Sequence, residues 1–140
     1  MPIWHDQRFM KCALVIILCV AGVLAFPSGT AYAHHSFAAT YIEDQRVTVE
    51  GELVQFLYRN PHSFIQIESP DPKTGEVIRW GVEWGAGGQL GRQGVTRETL
   101  KPGDHVIIVG NPGRNAEDHR LRMVTITRPS DGWKWNGTFE

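Results

Sequence analysis

Two adjacent histidines near the start of the sequence have the clearest potential for chemistry. His34 and His35 follow the triplet Ala31-Tyr32-Ala33 in the stretch AYAHHSFAAT. If the chain is cleaved after Ala33, the amine and the imidazole Nδ1 of His34 can chelate one ion in a six-membered ring. A free α-amine has a pKa of about 7.7–8.0, so a metal can displace its proton near neutral pH. With one more imidazole, this set forms a histidine brace, which suits Cu(II) best among the divalent ions.

His62 is the histidine best suited to complete such a site. It follows Asn60-Pro61, a pair that stops a strand and restricts the backbone. His35 is the next candidate, although it competes geometrically as the immediate neighbour of His34. In the plainer interpretation, the histidines near the chain start are disordered and inert, and His62 only hydrogen-bonds to a turn. The sequence predicts copper ligands at His34, His62 and His35, and leaves that alternative open.

The second group of candidates is aromatic. Trp80 and Trp84 share one face of the segment VIRWGVEW, and Phe64 lies on the preceding strand. Exposed rings on such strands stack on sugars, bases or peptides, and Arg59 would add a polar edge. These four residues form a predicted ligand-binding face. The alternative is that the apolar stripe containing both tryptophans faces the core.

The first 33 residues have the pattern of a secretory signal. Arg8 and Lys11 precede the apolar run Cys12 to Phe26, and Ala31-Tyr32-Ala33 supplies small residues for cleavage. The run is shorter than the roughly 20 apolar residues that span a bilayer, so a retained membrane anchor is the weaker interpretation. We therefore expect export to the periplasm of a Gram-negative bacterium.

Cleavage would change the composition in ways that exclude some functions. Both cysteines, Cys12 and Cys19, would leave with the signal, so the remaining chain could form no disulfide or thiolate metal site. Residues 34–140 carry 12 basic and 14 acidic side chains, and this acidic excess argues against nucleic-acid binding. The length suits one domain with a modest core.

Alternating apolar residues predict five strands, at residues 47–58, 62–68, 77–84, 105–110 and 121–128, with a short helix or turn around Leu90. The apolar face of the first strand switches just after Gly51, which indicates a bulge. This order predicts an all-β fold with one short helix, a small five-stranded OB-like β-barrel, with a small open sandwich as the alternative. The expected divisions are a signal peptide (1–33), an N-terminal arm (34–46), the barrel domain (47–128) and a C-terminal tail (129–140).

Several phrases of the sequence resemble a family. These are the start AHHSFAA, the turn Asn60-Pro61-His62, the Trp-rich third strand and the segment TRETLKPGDHVIIVGNP. Together they are similar to the small secreted bacterial proteins grouped as domain of unknown function 6152. The resemblance covers nearly all of residues 33–128. It implies export and a small β-domain, and it supplies no activity.

The favoured hypothesis is an exported, non-enzymatic protein that binds a transition metal, preferably copper, through a mature N-terminal histidine. The alternative is a metal-free periplasmic module that docks a partner or small ligand on the strand 2–3 face. A copper enzyme is a third and weaker hypothesis. Hydrolytic catalysis has little support, because no nucleophile-elbow motif is present. No membrane span is expected after cleavage.

Overall fold

A computed structural model of the chain describes residues 37–137, all of which belong to one compact unit. The helices are α1 (Phe37–Thr40) and α2 (Gly87–Arg92), with a 3₁₀ turn at Ala116–Asp118. The strands are β1 (Val47–Leu57), β2 (Phe64–Pro70), β3 (Val77–Glu83), β4 (His105–Pro112), β5 (Arg120–Arg128) and β6 (Trp133–Trp135). The five predicted strands and the short helix are confirmed. The predicted signal peptide, His34 and His35 lie outside the described residues.

The sheet closes into an OB-like β-barrel, as predicted. Its strand order is β3-β2-β1-β4-β5-β6, and a parallel pairing of β3 with β5 closes it. The first half of β1 pairs with β4 and the second half with β2. One long strand thus serves both halves of the barrel, which requires β1 to bend sharply.

The bend in β1 lies close to the predicted position. The register of β1 against β2 shifts between Leu53 and Gln55, so the bulge follows Gly51 by a few residues. A Cβ atom on Gly51 would lie only 2.1 Å from the backbone oxygen of Glu68. Glycine therefore allows β1 and β2 to approach closely where the barrel coils.

The core consists of the inward-facing residues of the strands together with Leu90 of α2 and Trp135 of β6. Ile65, Ile67 and Val82 are fully buried, as their alternation predicts, and Leu90 of α2 is buried in the same core cluster. The expected tail contains a short sixth strand, β6, which pairs with β5. Trp135 of β6 is 5% exposed and packs edge-on against Trp84, with ring centroids 5.0 Å apart.

The N-terminal arm is held firmly against the barrel. Tyr41 is 1% exposed and forms a β-bridge with Gly113. The buried side-chain amide of Asn111 donates hydrogen bonds to three backbone carbonyls of the arm, those of Ile42, Glu43 and Gln45. Buried polar contacts of this kind fix the path of a segment that has little apolar surface. No helix within residues 37–137 is long and apolar enough to cross a membrane.

Candidate functional site

His62 lies in the loop between β1 and β2, and its neighbour Ser63 fixes its position. Ser63 is fully buried. Its backbone N–H donates to Gly85, its carbonyl accepts from Trp84, and its hydroxyl bonds the backbone of Arg59. The backbone beside His62 is therefore tied to the end of β3. This agrees with the expectation that the Asn-Pro turn sets His62 in a defined place.

The imidazole of His62 is oriented by the carboxylate of Glu83. Nδ1 of His62 lies 2.9 Å from Oε1 of Glu83, whose side chain is 14% exposed. The other carboxylate oxygen, Oε2, accepts a 2.6 Å hydrogen bond from the hydroxyl of Tyr41. An ionised carboxylate only accepts hydrogen bonds, so Nδ1 of His62 carries the proton. Glu83 therefore joins the arm, β3 and the β1–β2 loop.

This arrangement leaves Nε2 of His62 free to bind a ligand. Within residues 37–137, Nε2 makes no hydrogen bond, and the side chain is 39% exposed. With the proton on Nδ1, the lone pair of a neutral imidazole lies on Nε2. Metal-binding histidines commonly donate their other N–H to a carboxylate in this way, which fixes the ring and raises its basicity.

Charged and aromatic side chains surround this pair. The ring of Phe37 meets the ring of His62 edge-on, with centroids 5.8 Å apart. The guanidinium of Arg122 lies 3.8 Å from the Phe37 centroid and bonds Glu43 at 3.0 Å. Arg120 lies 3.9 Å from Glu83. Two arginines thus face two carboxylates, so the surroundings of His62 carry no large excess of either charge.

Tyr41 is held as a neutral phenol. Burial raises its pKa above the ordinary value, and the Glu83 carboxylate that accepts its hydrogen bond raises it further. The phenol therefore remains a hydrogen-bond donor to Glu83 through the neutral pH range. It fixes one carboxylate oxygen and leaves the other for His62.

The remaining histidines with described positions lie in other surroundings. His105 pairs with Glu50 at 2.7 Å through Nε2, and both side chains are more than half exposed. His119 meets the edge of the Trp80 ring, with centroids 5.2 Å apart. Residues 37–137 contain no group of three or more His, Cys, Asp or Glu side chains placed to hold a metal.

The four predicted ligand-binding residues do not form one surface. Trp84 is 1% exposed and lies in the hydrophobic core, so its ring cannot stack on an external ligand, and the core interpretation fits it. Phe64 pairs in register with Glu83 on the outer face, and the Arg59 guanidinium lies 5.2 Å from its ring centroid. Trp80 is half-buried on the inward-facing side of β3. The predicted face therefore combined Phe64 from the outer side of the sheet with Trp80 and Trp84 from its inner side.

Two residues of the site were missed by the sequence analysis. Tyr41 lies in the arm, where no periodic pattern suggested burial, and its partner is 42 residues away. Glu83 was not among the predicted site residues. The register that pairs Phe64 with Glu83 was the one signal that could have placed this carboxylate beside the start of β2 and His62.

Comparison with known proteins assigns the chain to a family. No curated protein matches the chain. Among solved structures, the chain is similar to the mitochondrial single-stranded DNA binding protein Rim1 from S. cerevisiae, with 14% identity and a TM-score of 0.45, over 59% of this chain and 91% of that one. A family described as "Family of unknown function (DUF6152)" matches residues 22–122, more than two thirds of the chain. The chain therefore belongs to the DUF6152 family.

Proposed function

We propose that this is an exported, non-enzymatic protein of the periplasm that binds a transition metal, preferably copper. The ligands are the amine and imidazole of His34 and Nε2 of His62, with His35 as a further candidate. The observation that carries the proposal is the orientation of His62. Glu83 holds Nδ1 of His62, whose side chain is 39% exposed, so that the lone pair lies on Nε2, as in carboxylate–histidine–metal arrangements.

The path of the arm supports the pairing of His62 with His34. The ring of Phe37 contacts the ring of His62, and only three peptide units separate Phe37 from His34. Three extended residues span up to about 10 Å, so the sequence separation is short enough for the proposed pairing. Because Tyr41 and Asn111 hold the arm, the entropy cost of bringing these ligands together is reduced.

The nitrogen donors support copper over other metals. An amine and two imidazoles form a set that Cu(II) binds more strongly than the other divalent first-row ions. The chelate depends on cleavage after Ala33, since a preceding residue would convert the amine to an amide. Cleavage of the secretory signal would therefore create one of the metal ligands, the α-amine of His34.

The test is Cu(II) titration followed by EPR on protein exported with its native signal, with the mature N-terminus verified by mass spectrometry. An axial, nitrogen-rich spectrum at one equivalent is expected. It should be lost in His62→Ala and in a form with an added Met before His34. His105→Ala is the matched control, because it removes an exposed histidine that is also paired to a glutamate.

A second pair of variants tests the role of Glu83. Glu83→Gln should weaken copper binding about 10- to 100-fold, since it removes the carboxylate that orients the ligand. Glu50→Gln makes the same chemical change beside His105 and should leave affinity unaltered. A mature start other than His34, or copper binding that is indifferent to His62, would exclude the proposed site. The metal-free interaction module would then become the favoured function.

A further inference from the structure

An open cleft lies at the other end of β2 from His62. It has a volume of about 750 Å³, and the start of β1, the end of β2 and the first half of β3 form its walls. Val47, Ile78 and Trp80 supply half-buried apolar surface. Glu68 at its rim follows His62 by six residues, which along an extended strand corresponds to roughly 20 Å. The cleft is therefore separate from the proposed metal site.

The rim of this cleft is acidic. Four carboxylates line it, with one histidine as the basic side chain: Glu50, Glu52, Glu68, Asp71 and His105. Two of the carboxylates are paired, Glu50 with His105 and Glu68 with Arg79. Within the described part of the chain, Glu52 and Asp71 have no ion-pair partner. Low-dielectric walls concentrate the field of such charges and raise the local concentration of cations.

Asp71 is held ionised by its own turn. Its Oδ1 accepts the backbone N–H groups of Lys73 and Thr74, at 2.6 and 3.1 Å. The Lys73 hydrogen bond, followed by that of Thr74, keeps the pKa of the Asp71 carboxyl below its ordinary value. This negative charge therefore persists throughout the neutral and mildly acidic range.

We propose that the cleft is a binding site for a small amphipathic cation, an amine or quaternary ammonium with an apolar chain. The chain would lie on Trp80, Ile78 and Val47, and the positive head would lie between Glu52 and Asp71. The volume falls within the roughly 300–1,000 Å³ usual for small-ligand sites. Apolar walls provide most of the affinity in such sites, and a few charged groups determine orientation and specificity.

The test is isothermal titration calorimetry of the mature protein with decyltrimethylammonium, kept below its micelle concentration. Saturable binding at one site is expected, with much weaker binding of decyl sulfate, which has the same chain length and the opposite charge. Glu52→Gln combined with Asp71→Asn should weaken binding about tenfold. Glu98→Gln, at an exposed carboxylate outside the cleft, is the matched control and should have no effect.

Variants at other positions separate this site from the metal site. Trp80→Ala should weaken binding at least about tenfold, with circular dichroism to check the fold. Glu52→Gln and Asp71→Asn change only residues at the rim, so they test the site even if Trp80→Ala disturbs the fold. Binding should be unchanged by His62→Ala or by bound copper. Equal affinity for decyl sulfate, or affinity unaffected by the Glu52 and Asp71 changes, would overturn the proposal.

Discussion

Gly51 is a position where a single methyl group should strongly destabilise the barrel. In Gly51→Ala, the new Cβ would lie 2.1 Å from the oxygen of Glu68, 2.9 Å from its carbonyl carbon and 3.2 Å from the Cα of Ser69. All three are backbone atoms of β2, so no side-chain rotation can relieve the overlap. The strands must move apart by about 1 Å, the shortfall from a normal carbon–oxygen contact. Overpacking of this kind costs about 1–3 kcal/mol, and we expect the upper end.

The matched control is Gly81→Ala. Gly81 also lies within a strand, but its Cβ would meet nothing within 4 Å, so the change should stay within about 0.5 kcal/mol. Urea unfolding followed by tryptophan fluorescence should show a lower midpoint for Gly51→Ala with an unchanged slope. A cost of about 3 kcal/mol corresponds to a melting temperature lower by roughly 10–20 °C in a domain of this size. Equal stability of the two variants would refute the close approach of β1 and β2.

Three further predictions concern the N-terminal arm and the turn between β5 and β6. Folding raises the pKa of Tyr41. The stability contributed by its neutral phenol is therefore fully present below about pH 10 and is lost as the pH rises further. In melting experiments at different pH values, Tyr41→Phe should reduce this loss of stability at alkaline pH. Asn111→Ala leaves carbonyls of the arm without their donor and should cost about 1–3 kcal/mol, with faster proteolysis of the arm. The Arg128 hydrogen bond lowers the pKa of Asp131, so its stabilisation is present above about pH 4 and lost below it; Asp131→Asn should reduce the acid sensitivity of unfolding.

The strands and their faces could be predicted because they depend on local alternation. Ile65 and Ile67 have the same parity and are both fully buried. In the stripe that ends in Trp84, Val82 and Trp84 are buried, and Ile78 and Trp80 are half-buried. Barrel closure also followed from the order of elements. β6 was missed because three residues, Trp133–Trp135, give no periodic signal. This strand forms because its tryptophans pack against the core and against β5.

The candidate site could be predicted only in part. His62 was identified from its residue type and its turn, which are local features. Its partners depend on tertiary pairing: Tyr41 reaches Glu83 across 42 positions, and the arm is held by Asn111 from β4. The residues predicted to form a ligand-binding face do not share one surface. Alternation along β2 puts Phe64 on the face opposite to the buried Ile65 and Ile67, whereas Trp84 is buried with them, so aromatic residue type alone does not identify a shared face.

The position of Trp135 has a consequence for the order of folding. A chain that emerges from a ribosome or a transport channel N-terminus first presents all five barrel strands before residue 135. The ring of Trp135 then packs against Trp84 and bonds Gln93 at 2.9 Å. Until this residue arrives, the buried ring of Trp84 lacks the ring that packs against it, and we expect the nascent barrel to be more loosely packed. We therefore expect native packing to be completed only when nearly the whole domain has been delivered.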